Sequence, residues 1–328
     1  MQRINNLYSD LCSFQNLHLA WRKTRLGSRK TNESATFSYH LEKELLLIQE
    51  ELQNDTWAPA PFRYFEIHDP KQRSIAIASF RDRVMHHALV NILEPIWERR
   101  FIGDSYATRK GKGVHAAAQR AQQFLRAQEW FLKSDVEKFF DSINHNILLE
   151  LLARTLKDQR VLKLAEKIIR HGGHNGVGLP IGNRTSQFFA NVYLHPLDMW
   201  LKQEKRLKAY VRYMDDFVLF HPDKQVLKDL LRETEVFLHE RLQLRLKPSA
   251  TFLNKRENGL SFLGLRIFPN LIRLRNENLR RITRRIAVKE KWYAEGKIDE
   301  PTFLHSMNSY WAMLQFYPLE GLRQSILG

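Results

Sequence analysis

Cys12 is the only cysteine in this chain of 328 residues. A single thiol excludes a disulfide framework and a zinc site built on cysteines. No apolar run approaches the roughly 20 residues that a membrane-spanning helix needs, and Met1-Gln2-Arg3-Ile4-Asn5-Asn6 carries no apolar signal-peptide core. The expectation is a cytoplasmic protein without membrane association. Low-complexity tracts, a convincing internal repeat, a Walker-type glycine loop and a serine elbow are all missing. Neither His86-His87 nor the pair His171 and His174 has the cysteine or carboxylate companions of a zinc site. Negative charge is also in short supply, with 36 Asp plus Glu against 52 Lys plus Arg and a formal net charge of +16. That excess favours a polyanionic partner, since each phosphate contact releases counterions. Charge kept merely for solubility is the blander reading.

What is present suits a folded protein with a substantial core: 43% hydrophobic and 27% charged residues. Residues 7–58 read as helical, as in Leu41-Glu42-Lys43-Glu44-Leu45-Leu46-Leu47-Ile48, until Trp57-Ala58-Pro59-Ala60-Pro61 stops the pattern. Short strands are expected at 62–67 and 73–77 around His68-Asp69-Pro70-Lys71. Helical spacing returns at 81–100, a strand at 128–136 and mostly helix at 142–172. Gly172-Gly173-His174-Asn175-Gly176-Val177-Gly178 predicts a loop, followed by a helix over about 185–201. A hairpin at 213–220, a helix at 224–241 and strands near 251–254 and 260–267 complete one small sheet, and from about 271 onward the pattern is helical and basic. This order predicts an α+β fold, a mixed antiparallel sheet backed by helices.

Chemistry concentrates in acids held by apolar strands. In Tyr213-Met214-Asp215-Asp216 two carboxylates fall at the connection between Val211 and Phe217-Val218-Leu219-Phe220. Eighty residues earlier, Asp135 ends the apolar run Trp130-Phe131-Leu132. Carboxylates at the rim of a core need a cation, and two strand-borne sites suit a pair of Mg2+ ions clamping a phosphoryl transfer. An isolated Asp-Asp pair more often marks a turn; its conjunction with Asp135 reverses those odds.

Over nearly its whole length the chain resembles the reverse transcriptases. Phe131-Leu132-Lys133-Ser134-Asp135-Val136-Glu137-Lys138-Phe139-Phe140-Asp141-Ser142-Ile143 is similar to the family's first catalytic motif, and Tyr213-Met214-Asp215-Asp216 to its second. Gly259-Leu260-Ser261-Phe262-Leu263-Gly264-Leu265 resembles the primer grip, and Lys247 falls in the preceding motif, whose lysine lies near the incoming nucleotide. The resemblance implies a right-hand polymerase, with fingers and palm over residues 1–270 and a short helical thumb over 271–328. It implies two Mg2+ ions, with Mn2+ an alternative, held by Asp135 and Asp215, with Asp216 in support and Val136 as a further metal contact. Phe140 stands at the sugar-gate position, where an aromatic ring excludes a 2′-hydroxyl by clash and argues for DNA as product. Arg73 and Lys71 match the basic residues that hold the triphosphate, Arg73 more strongly because a guanidinium forks phosphate oxygens; Lys71 could equally be a solvated turn residue.

Leu179-Pro180-Ile181-Gly182-Asn183-Arg184-Thr185-Ser186-Gln187 occupies the place of the nucleotide-pocket motif. Ile181 where most of the family has glutamine, and Ser186-Gln187 where group II intron enzymes have Ser-Pro, resemble the enzymes of diversity-generating retroelements, which copy a template RNA into cDNA with errors at adenines. An apolar Ile181 offers no hydrogen bond to a sugar or base edge, so discrimination should fall. The same resemblance implies template RNA, the RNA/cDNA hybrid and dNTPs as partners, a small basic barrel-shaped accessory protein oligomer, and a bacterial or phage origin. Arg109, Lys110 and Lys112 in a glycine-punctuated stretch suit a template backbone. Arg280, Arg281, Arg284 and Arg285 match the thumb, while Arg22, Lys23, Arg25, Arg29 and Lys30 read equally well as a solvated face. No ribonuclease H or endonuclease region is expected before Gly328. An anti-phage defence or retron reverse transcriptase is the nearest alternative, and a catalytically idle RNA-binding protein the more distant one.

Overall fold

The computed structural model describes residues 3–28, 31–68 and 72–314; Lys71, Arg29 and Lys30 lie outside the described residues. Hydroxyl caps divide the N-terminal helical region that periodicity alone reads as one stretch. It forms α1 (Tyr8–Cys12), α2 (Phe14–Leu26), α3 (Asn32–Tyr39) and α4 (Leu41–Gln53). Ser13 accepts a hydrogen bond from the Asn16 amide and Thr31 one from the Ser34 amide, satisfying first-turn N–H groups of α2 and α3. β1 (Arg63–Ile67) and β2 (Arg73–Ile77) pair antiparallel with Phe65 opposite Ile75. α5 (Phe80–Glu98) follows, capped by Ser79.

α6 (Val114–Ala127) is a helix that the sequence reading did not anticipate. Its buried face is mostly alanine (Ala117, Ala118, Ala121), so its apolar stripe is weak although the face is fully packed. Next come β3 (Trp130–Asp135), α7 (Phe139–Ser142), α8 (His145–Thr155), α9 (Gln159–His171) and α10 (Arg184–Met199), which runs into a π turn at Trp200–Glu204. The chain continues through β4 (Tyr210–Tyr213), β5 (Asp216–His221), α11 (Lys224–Leu242), β6 (Phe252–Lys255), β7 (Leu260–Phe262), β8 (Leu265–Ile267), β9 (Ile272–Leu274), α12 (Asn276–Ala294) and α13 (Glu300–Leu314).

Two compact units emerge, each from discontinuous stretches: residues 1–103, 136–206 and 233–246 in the first, 104–135, 207–232 and 247–328 in the second. In the first, α5 packs against both α2 and α10. Val84, Met85, Ala88, Leu89 and Leu93 of α5 are buried, and Trp97 meets Phe188 edge-on at 5.7 Å. In the second unit, β4-β5-β3-β6 form a four-stranded antiparallel sheet. Phe131, Val218 and Phe220 of that sheet share one core with Ala117, Ala121 and Leu125 of α6, Phe262 and Ile267, and Ile282 and Ile286 of α12.

The expected single small sheet is corrected here. β6 joins the four-stranded sheet, but residues 260–267 turn at Leu263-Gly264, both with positive φ, and pair with β9 in a separate three-stranded sheet. β9 also displaces the helix expected from 271. Leu274 is buried and Arg273 exposed, an alternation with the period of a strand. Among the described residues no helix is long and apolar enough to cross a membrane.

Candidate active site

The second unit carries the acids. β3 ends on Asp135 and β5 begins on Asp216, and the register sets these two residues opposite each other. β4 and β5 also pair, Tyr213 facing Asp216, so only Met214 and Asp215 connect them. Met214 takes a left-handed backbone with φ of 57°, a conformation that costs a residue with a side chain about 1 kcal/mol or more. Arg212 supports it. Its side chain is fully buried and Nη1 donates to the Met214 carbonyl at 3.0 Å. The Arg212 main chain is fixed as well, its amide donating to Asp104 and its carbonyl accepting from Tyr106, both at 2.9 Å.

Alternation along β3 places Lys133 on the face that carries Asp135. Lys133 is only 8% exposed, and its Nζ lies 2.8 Å from Asp216 Oδ1. That oxygen has a charge partner but no aligned hydrogen-bond donor. Burial pushes the Asp216 carboxyl up to about 7; Lys133 opposes the rise, while Asp135 and Asp215 add to it by repulsion. Lys133 was not singled out from the sequence, although a lysine inside an apolar strand two residues before Asp135 was the available signal. Lys247 meets the same strand end: its amide donates to the Asp135 carbonyl at 2.8 Å, and its own carbonyl accepts from Thr251 Oγ1 at 2.9 Å.

Hard carboxylate oxygens at a strand end, one of them buried without an aligned donor, suit Mg2+ by type. Yet no three His, Cys, Asp or Glu groups converge into a ready cage among the described residues. The platform fits an ion that completes its shell with water and phosphate, and the three-acid cluster expected from the sequence is not closed as it stands. Asp216 is paired with Lys133.

The nucleotide-side candidates lie in the first unit and are knitted together there. The Ala76 amide in β2 donates to the Ile181 carbonyl at 2.9 Å, and Asn183 Nδ2 donates to the Ala76 carbonyl at 3.2 Å. Gly182 between them has φ of 118°, and a Cβ there would stand 2.8 Å from Ile75 Cγ2 and 3.0 Å from the Ala76 oxygen. The Leu179 amide donates to the Phe140 carbonyl at 2.8 Å. One hydrogen-bonded group therefore contains the strand of Arg73, the loop of Ile181 and the backbone of Phe140. Phe140 is half-buried against the buried Phe139, with ring centroids 5.6 Å apart. Gln187 is half-buried in the first turn of α10. Arg73 is exposed and has no ion pair or hydrogen bond from its side chain among the described residues. Val136 is buried and bridges to Leu246. Lys71 lies outside the described residues.

The basic candidates differ in freedom. Arg109 donates to the Ser105 carbonyl at 2.8 Å, and Lys112 sits 4.7 Å over the Tyr106 ring, so both are tied to their own loop, whereas Lys110 is exposed. On α12, Arg280, Arg284 and Arg285 are exposed and Arg281 is half-buried.

An antiparallel sheet with acids at one strand end and at the adjacent hairpin connection defines a polymerase palm by class. The fold is similar to that of apo telomerase from Candida tropicalis, with a TM-score of 0.52 at 13% identity, over 66% of this chain and 49% of that one. At such identity the likeness concerns fold alone. Residues 67–267 match the family described as reverse transcriptase (RNA-dependent DNA polymerase). With more than half of its length inside that match, the chain belongs to this family, and its enzymatic class is RNA-directed DNA polymerase. Protein YkfC of Escherichia coli K12 is 28% identical over 274 residues, 69% of this chain and 72% of YkfC. The group II intron-encoded protein LtrA of Lactococcus lactis subsp. cremoris is 24% identical over 295 residues. The match takes in 68% of this chain and about half of LtrA, 49%.

Proposed function

We propose that the protein extends a primer on a template RNA to make error-prone cDNA for a diversity-generating retroelement, working in the cytoplasm. The observation that carries the polymerase chemistry is the opposition of Asp135 and Asp216 across β3 and β5, with Asp215 in the connection beside them. Asp135 and Asp215 would hold two Mg2+ ions, with Mn2+ able to substitute, Asp216 in support and Val136 as a neighbouring contact. When bound, such ions acidify the attacking primer hydroxyl and neutralise the leaving pyrophosphate.

The remaining work belongs to the chain. Arg73, with Lys71, receives the triphosphate, and its exposed guanidinium, without a partner among the described residues, is suited to forking phosphate oxygens. Phe140 screens the sugar, Lys247 approaches the nucleotide from beside Asp135, and Ile181 and Gln187 line the base and sugar pocket. Arg109, Lys110 and Lys112 follow the template, and Arg280, Arg281, Arg284 and Arg285 grip the RNA/cDNA hybrid from a thumb spanning 271–328, with fingers and palm over 1–270. A small basic barrel-shaped accessory protein oligomer completes the assembly.

Support for the mutagenic role is Ile181. Its carbonyl accepts from the Ala76 amide, and its side chain is apolar where a glutamine would present a hydrogen-bonding amide. The test is primer extension on an adenine-rich RNA with sequencing of the product. Errors should concentrate at template adenines and decline in Ile181→Gln. Errors spread evenly over the four template bases would reject the diversifying role and leave a retron-like or defence enzyme, with polymerisation intact.

A further inference from the structure

β1 is an edge strand whose outer side carries no third strand. It belongs to a two-stranded sheet, and all five of its residues are exposed, the large apolar Tyr64, Phe65 and Ile67 each by 40% or more. The bonding of β2 shows which main-chain groups of β1 point outward. Both the amide and the carbonyl of Ala76 bond away from β1, to Ile181 and to Asn183. Tyr64 stands opposite Ala76, so its own amide and carbonyl face the outer edge, as do those of Glu66 two residues on. None of the described residues bonds them there. Natural edges are commonly guarded by lysine, proline or a bulge, and β1 has none of these. Its two charges are of opposite sign and are both occupied within the chain. Arg63 lies 2.5 Å from Glu33, and Glu66 accepts from Gln72 at 3.2 Å.

We propose that β1 pairs antiparallel with β1 of a second copy of this chain, about a two-fold axis through Phe65, joining two hairpins into one four-stranded sheet. The register centred on Phe65 is the one that brings all five residues into pairs. Tyr64 of each copy then faces Glu66 of the other, and these two exchange the outward main-chain bonds. Arg63 faces Ile67, Phe65 faces Phe65, and no like charges stand opposite each other. Within the chain Phe65 is already opposite Ile75. One face of the joined sheet therefore gains an unbroken apolar row, Ile75 and Phe65 of one copy followed by Phe65 and Ile75 of the other. The aromatic pair falls at a non-hydrogen-bonded position, where side chains approach most closely. Five paired residues bury less than a standard interface, so the dimer is weak and concentration-dependent. The net charge of +16 on each copy opposes it, and salt strengthens it by screening that repulsion. Association through a bridging nucleic acid would weaken with salt instead.

Sedimentation equilibrium of the nuclease-treated full chain tests the pairing. The dimer fraction should grow with concentration up to ~100 μM and rise between ~0.1 and ~0.5 M salt. Phe65→Lys removes the aromatic pair and sets like charges face to face, which should weaken association ~10-fold or more. Glu66→Pro removes an outward N–H while sparing the bonds to β2, and should weaken it similarly. Phe65→Cys reads the register itself, and does so even where Phe65→Lys disturbs the hairpin. Cα atoms of a non-hydrogen-bonded pair stand about 4.5 Å apart, inside the roughly 4.4–6.8 Å that a disulfide spans. Cys12 is buried, so the introduced thiol is the accessible one. Under a mild oxidant Phe65→Cys should cross-link into a covalent dimer several-fold faster than Tyr64→Cys, whose counterpart lies two residues further along the pair. A parent that stays monomeric over this range would overturn the pairing and leave the strand to another ligand. A dimer that weakens with salt, or that survives both Phe65→Lys and Glu66→Pro, would overturn it as well. Equal cross-linking of the two cysteine variants would reject the two-fold through Phe65.

Discussion

Two hairpins of this protein are built on opposite terms. In β4–β5, every residue of the strands is buried except those next to the connection and at the far end of β5, and the acids sit at the tip. In β1–β2, all of β1 is exposed, Tyr64 at 67%, and so is the leading end of β2, where Arg73 stands. A buried hairpin fixes carboxylates against a sheet and lets a fully buried arginine hold its strained turn. The exposed one leaves the Arg73 guanidinium open to water, with no partner among the described residues, as the proposed triphosphate contact requires. Negative charge is thus fixed in place by burial, and positive charge is presented by exposure.

The largest expected effect separates chemistry from folding in the buried hairpin. Asp215→Asn, or Asp135→Asn, should lower the primer-extension rate by at least ~1,000-fold, because ion-based stabilisation of developing charge is lost. Its thermal unfolding should stay close to the parent's, since amide and carboxylate have nearly the same shape. Retention of more than about a tenth of the rate would mean that the transition-state charge is met elsewhere.

Arg73 tests the exposed hairpin. Arg73→Ala should raise the KM for dNTP by ~10- to 100-fold, the worth of one charge-assisted contact. Stability should change by no more than about 0.5 kcal/mol, because the side chain is exposed and none of the described residues pairs with it. Arg73→Lys should fall between the two, keeping charge but losing the fork. A large loss of stability in Arg73→Ala would break the contrast between the hairpins.

These two outcomes concern residues that could be read from sequence, and the reason is local. Asp135, Asp215 and Asp216 stand out because acids interrupt apolar strand patterns, and Arg73 through the resemblance of its stretch to the family's triphosphate-holding strand. The partners of Lys133 and Arg212 were not legible, although the place of Lys133 in an apolar strand was. Each of these two residues lies in a strand whose apolar neighbours look like ordinary core, and its role depends on which residue a second strand or a turn places beside it. The alanine face of α6 and the separation of β7, β8 and β9 from the main sheet escaped for a related reason. Small residues give little periodic signal, and strand partnership is a long-range property that spacing does not encode.

Gly182 shows how the exposed hairpin is nevertheless tied down at one edge. Gly182→Ala should destabilise by roughly 1–3 kcal/mol, since φ of 118° strains a residue with a Cβ and the new carbon would press on Ile75 and the Ala76 oxygen. The dNTP KM should rise with it, because Ile181 hangs from the same contact. Denaturant titration and steady-state kinetics read the two effects. A loss of stability without any change in KM would detach Ile181 from the pocket.

The smallest effect is a slope, and it distinguishes the two units by sign. In α5 of the first unit, burial pushes His86 down to about 3 and His87 down to about 4 from 6.5. The unfolded chain binds protons there near pH 6.5 while the folded unit does not. Stability is therefore complete above pH 6.5 and is lost as pH falls toward 4, by about 1.4 kcal/mol per pH unit for a fully buried histidine. Asp216 in the second unit works the other way, with its carboxyl raised from 3.8 to about 7. There the folded state takes up a proton that the unfolded chain does not, so acid between pH 7 and 4 stabilises this unit. Hydrogen exchange of amides in α5 and in β5, compared at pH 7 and pH 5, should show protection falling in the first and holding or rising in the second. His86→Gln should flatten the first response and leave the second unchanged. Parallel losses in both units, insensitive to His86→Gln, would place the acid sensitivity elsewhere than in buried imidazole.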